Sequence, residues 1–164
     1  VAKLLVATQE VILRAERQGV RPAIQADLAA MYFRIRAGLG FEKSVSEYGA
    51  FPADPYSHTP PDGGARQPGM TGQVKEEILT RWGELGLRFQ DGQIRIDPVL
   101  IDAAELPEGG NLAFTLARVP YRIRRGTRLR VRTLFAQRWV EHAQARFDPQ
   151  GVEAVEIDIP NELT

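Results

Sequence analysis

The sequence predicts an α+β fold: helices come first, and an antiparallel, β-sandwich-like domain follows. Three observations carry this. Apolar residues recur at helical spacing through residues 1–48 and 72–85. A run dense in Gly and Pro separates the two stretches at 49–72. From Leu87 onward the apolar period changes to two. Helices and strands are therefore segregated along the chain, with a helical segment at 1–86 and a β domain at 87–164.

In the first helix, Val1, Leu4, Leu5, Val11, Ile12 and Ala15 share a face, and Gly19 stops it. Pro22 suits the first turn of a second helix. Ile24, Leu28, Met31 and Ile35 form its stripe, and Gly38 and Gly40 end it. The pair should form an antiparallel hairpin. Ser44-Val45-Ser46-Glu47 matches a capping box and predicts a short helical turn. The 49–72 run also holds Phe51, Tyr56 and His58, which predicts an ordered surface loop.

Thr71 is the expected N-cap of the last helix. Val74, Ile78, Trp82 and Leu85 form its stripe, Glu77 and Arg81 pair at i, i+4, and Gly86 ends it. Asp91-Gly92 between two alternating segments is a two-residue hairpin signal. Residues 111–124 and 127–135 read as strands around Gly126, and 152–159 as the last strand. Residues 137–145 fit either a strand or a short helix.

Composition narrows the function. Twenty-one basic and 21 acidic residues cancel, so no net field favours nucleic acid or an anionic membrane. No apolar run spans a bilayer, and the start shows no signal-peptide pattern. With no cysteine, disulfides and thiolate chemistry are excluded, and a cytoplasmic protein is expected. His58 and His142 are too far apart in sequence to suggest a metal site, and no cofactor motif is present. Arg122, Arg124, Arg125, Arg128, Arg130 and Arg132 are expected on one solvated strand face, with polyanion binding as the competing reading.

The segment Met70–Leu100, MTGQVKEEILTRWGELGLRFQDGQIRIDPVL, resembles one junction in inverting carbohydrate phosphorylases and six-hairpin glycosidases, the cellobiose phosphorylase family above all. There the last helix of an (α/α)6 barrel opens on a Thr-Gly pair and runs into a hairpin that begins a C-terminal β domain. The resemblance implies that this chain is the C-terminal portion of a larger carbohydrate-active enzyme, not active alone. It also implies that Thr71 and Gly72 contact phosphate, as a helix N-terminus with a hydroxyl would allow. Glu76 and Glu77 follow where the family has small or aromatic residues, which leaves hydrolysis open beside phosphorolysis.

The candidate ligand-binding residues are His58, Arg66, Gln67, Thr71, Gly72 and Glu76. His58 sits among aromatic and hydroxyl side chains, and Arg66 can hold an anion bidentately. Asp54, Asp62, Glu76 and Glu77 are the nearby carboxylates for glycoside cleavage, although Asp54 and Asp62 also fit plain turns. Trp82 is expected in the core and His142 at the surface. Expected partners are carbohydrate or phosphate, and the rest of the enzyme or a second copy covering the N-terminal helices. The alternative is a non-catalytic structural or protein-interaction module.

Overall fold

The computed structural model describes residues 2–37 and 71–161; at 71–74 and at Ala103 the backbone alone is described. The capping box at 44–47, the loop residues up to Met70, and with them His58, Arg66, Gln67, Asp54 and Asp62, lie outside the described residues. Among the described residues, three α-helices, α1 (Ala2–Arg17), α2 (Pro22–Arg36) and α3 (Thr71–Glu84), precede eight strands. The strands are β1 (Leu87–Gln90), β2 (Gln93–Ile96), β3 (Asn111–Leu116), β4 (Val119–Gly126), β5 (Arg130–Phe135), β6 (Arg138–His142), β7 (Arg146–Phe147) and β8 (Val152–Pro160). The fold class is the mixed α+β expected. The chain divides into two compact units after Arg81.

In the first unit, Gly19 takes a positive φ of 63° after α1, and Pro22 stands in the first turn of α2. The helix faces differ from the expected stripes. The first helix buries Leu5, Thr8, Gln9 and Ile12, while Leu4 is 58% and Val11 48% exposed. Tyr32 is the buried residue of α2, and Ile24 and Met31 are exposed. On α3, Ile78 is 44% exposed, whereas Glu76 and Thr80 are buried four residues apart. The cause is polar. Gln9 Nε2 donates to the Thr80 carbonyl at 2.9 Å and lies 3.5 Å from the Tyr32 hydroxyl, so one amide ties the three helices. A buried amide must keep its partners, and turning it inward rotates Leu4 and Val11 out.

The second unit starts at a corner. Gly86 has φ +76°, and the Asp97 amide donates to its carbonyl at 2.7 Å. A Cβ at Gly86 would stand 3.0 Å from Pro98 Cα, so any other residue would be both strained and crowded there. Asp97 accepts from Arg95 Nε at 2.8 Å, and Ile96 is buried. The Ile96-Asp97-Pro98 signature thus braces the corner.

The strands form two sheets, ordered β1-β2-β7 and β3-β4-β8-β5-β6. All pairings are antiparallel except β4 with β8, which is parallel. Both sheets contribute to one core, with Leu87, Ile94, Ile96 and Phe147 from the small sheet and Ile123, Val131, Val155 and Ile157 from the large one.

Asp91-Gly92 makes the expected turn, both residues at positive φ. The single strand expected over 111–124 is instead two, β3 and β4, around Ala117-Arg118. Those residues have φ of 49° and 69°. Ala136-Gln137 repeats this geometry between β5 and β6, which answers the question left by 137–145. Such turns ordinarily call for Asn or Gly, so neither carried a sequence signal.

Candidate functional site

Three turns meet at one end of the β unit: Asp91-Gly92, Ala117-Arg118, and the link from β7 to β8. Within that link the Gln150 amide donates to Asp148 Oδ1 at 2.9 Å. They enclose a pocket of about 520 Å³ that is chiefly apolar. One wall is the edge-on pair of Trp82 and Phe89, with ring centroids 4.9 Å apart. Phe89 is in phase with core-facing Leu87 and pairs with buried Ile94, but at the hairpin tip it is 50% exposed. Leu116, Val119 and Val152 line the pocket too, and Gln90, Asp91 and Gln93 supply polar groups from the hairpin. Tyr121 also lines it.

Tyr121 is held firmly. It pairs with Phe114 across β3 and β4, and the two rings stack at 5.0 Å with 13° between planes. Burial pushes its phenol up to about 12, because a phenolate would be poorly solvated there.

This arrangement suits recognition of one small ligand. Pockets of some hundreds of Å³ with apolar walls and a few convergent polar groups are the usual form. Two aromatic rings offer a flat apolar contact, while amides and a carboxylate read hydroxyls. Asp91 is the single carboxylate among the described lining residues. Glycoside cleavage uses two carboxyl groups, and the described lining supplies one of them.

The outer face of the large sheet carries alternating charge. Register places Arg122, Glu156, Arg132 and Glu141 in one row, and Arg124, Asp158 and Arg130 in the next. Arg124 and Arg130 each hold one oxygen of Asp158, both ion pairs at 2.5 Å. Arg132 is bonded to Glu156, and Arg128 to Glu141 at 3.0 Å. Burial alone would raise the Asp158 carboxyl, yet hydrogen bonds from Arg124 and Arg130 outweigh it and hold the group below its usual value. Arg125 instead donates to the Leu106 and Asn161 carbonyls, at 2.7 and 2.9 Å. Four of the six arginines, Arg124, Arg128, Arg130 and Arg132, thus have acidic partners, which weakens the polyanion reading. A shallower groove of about 400 Å³ runs between Trp139 and Arg122. The Arg132 guanidinium stands 5.7 Å from the Trp139 ring centre and already takes that ring's apolar contact.

Of the sequence candidates, His58, Arg66 and Gln67 are outside the described residues. Thr71 and Gly72 form the first turn of α3 itself, so the helix starts at Thr71 and not after it. Glu76 is buried and not at the helix surface, with Oε2 lacking a hydrogen-bond partner among the described residues. Trp82 is only partly buried and lines the pocket. His142 is half-buried; its Nε2 lies 2.8 Å from Thr133 Oγ1, and desolvation lowers its pKa. Phe89 and Tyr121 were not singled out from the sequence. The available signal was an apolar residue in phase with the core beside a tight turn. Among the described residues, no three acidic or histidine side chains are arranged to hold a metal ion. No helix among them is long and apolar enough to cross a membrane. No protein-family model matches the chain, and no curated protein matches its sequence.

Proposed function

We propose that this chain is a portion of a carbohydrate-active enzyme of the glycoside hydrolase or phosphorylase kind, whose β unit binds a saccharide without cleaving it. The observation that carries the reading is the pocket bounded by Trp82 and Phe89, with Gln90, Asp91 and Gln93 among its lining residues. The C–H face of a pyranose is apolar and its rim is hydroxylated, which matches rings beside amides. The Thr-Gly opening of α3 and the braced Ile96-Asp97-Pro98 corner add the likeness to the phosphorylase junction. In a chain without cysteine, a cytoplasmic setting belongs to the same proposal.

The test is calorimetric titration of gluco-oligosaccharides, with and without inorganic phosphate. Saturable binding is expected, with Phe89→Ala weakening it about tenfold through loss of one ring contact. Absence of saccharide binding at millimolar concentration ends the reading. Binding that appears only with phosphate and disappears in Thr71→Ala would move the site to the start of α3.

A second reading has its own support. Leu4, Val11, Ile24, Met31, Ile78 and Leu79 are exposed on the helical unit. Apolar side chains in that number suit an interaction surface, whether for the remainder of the enzyme or for a second copy. Sedimentation equilibrium checks the second copy: a dimer that Leu4→Glu with Val11→Glu dissociates supports it, and a monomer at all concentrations removes it.

A further inference from the structure

We infer that Tyr121 is the specificity-determining residue of the hairpin-end pocket, its hydroxyl donating a hydrogen bond to an uncharged oxygen of the bound ligand. The inference deepens the saccharide reading and rests on it for the natural ligand, though its geometry stands on the pocket alone.

Three observations meet at this side chain. Tyr121 is 4% exposed and belongs to the shared core, yet it also lines the pocket. Its hydroxyl has no hydrogen-bond partner among the described residues, while its ring is stacked flat on Phe114. The oxygen is not sealed from solvent, so water completes it in the unliganded pocket, and a ligand that displaces this water must offer an acceptor in its place. A phenylalanine at this position would stack and fill the same space without a polar atom to satisfy. The polar atom is therefore surplus to packing, and Tyr121 lines the cavity.

The surroundings define what the partner can be. The phenol stays protonated at physiological pH, with its pKa near 12, so it can donate. Asp91 at the pocket disfavours an anion such as a phosphate ester. Trp82, Phe89, Leu116, Val119 and Val152 demand an apolar body. The ligand class is an uncharged ring-sized molecule that presents one acceptor oxygen, either a hydroxyl, an ether or a carbonyl, at its inner end. A sugar ring meets this description.

The test is a cycle of two proteins and two probes, read by NMR chemical-shift titration. The proteins are the full chain and its Tyr121→Phe variant, which keeps the ring and its stacking. The probes are acetophenone and ethylbenzene, alike in size but differing in the acceptor oxygen. Acetophenone affinity should fall about fivefold in the variant while ethylbenzene affinity holds, the size expected for one hydrogen bond. Equal affinities of acetophenone for both proteins overturn the assignment. So does an equal loss for both probes, which would mark a change of pocket shape. Failure of either probe to bind anywhere near Phe89 overturns it as well. Gluco-oligosaccharides supply the separating arm. If they fail to bind but the acetophenone cycle succeeds, the saccharide reading falls and Tyr121 keeps its role. If they bind equally well to both proteins, the saccharide reading stands and the role of Tyr121 is lost.

Discussion

Asp158 shows how much one side chain can organise. It is nearly buried, and it accepts from Arg124 on one neighbouring strand and Arg130 on the other. Asp158→Asn removes the charge but leaves both guanidinium groups in place. Because the arginines are about a third exposed, water replaces part of the loss, and a destabilisation of roughly 1–3 kcal/mol is expected in urea unfolding. The pH dependence has a definite sign. Asp158 is held below its usual 3.8, so its contribution is complete above that value and is lost as pH falls through the folded-state pKa. His142 is lowered by desolvation, so protonation favours the unfolded chain. Its contribution is complete above 6.5 and declines as pH falls from there toward the folded value. Stability should therefore decline in two stages on acidification. His142→Gln should remove the upper stage and Asp158→Asn the lower, as followed by thermal unfolding across pH.

At the scale of elements, the corner at Gly86 has the least freedom. Alanine there must hold φ near +76° and also meet the backbone of Asp97 and Pro98. Gly86→Ala should cost more than the ~1 kcal/mol typical of an unstrained αL site, seen as a lowered urea midpoint with an unchanged slope. Gly92→Ala meets no neighbouring atom and should cost only the φ penalty. These elements also show what could be read in the chain. The corner and its hairpin were legible because Gly86 and Asp91-Gly92 carry unmistakable turn chemistry. The β3–β4 hairpin was not, since Ala117-Arg118 enters left-handed space only because cross-strand pairing such as Phe114 on Tyr121 compels it. Helix positions were legible, but their buried faces were not. Periodicity counts apolar residues and cannot see that Gln9 turns inward to reach Thr80. The pocket escaped notice for a similar reason: its walls come from three turns far apart in sequence, and Phe89 looks like any strand residue until the tip around it is built.

For the whole molecule, the order of strands matters most. The hairpins β3–β4 and β5–β6 are consecutive in sequence, yet β8 lies between them in the large sheet. It pairs parallel with β4 and antiparallel with β5, and it brings Val155, Ile157 and Ile159 into the core. A version ending before Val152 should lose cooperative unfolding of the β unit, visible as collapsed methyl dispersion in NMR spectra. The helices should keep most of their circular dichroism, since their ties run through Gln9, Tyr32 and Thr80 within the other unit.

A growing polypeptide meets that arrangement in an awkward sequence. On the ribosome both ribbons emerge with their inward edges bare, and the strand that must fill the gap is still inside the exit tunnel. Bare edges recruit any strand nearby, including those of neighbouring nascent copies, so synthesis through this stretch is the moment when a chaperone has most to protect.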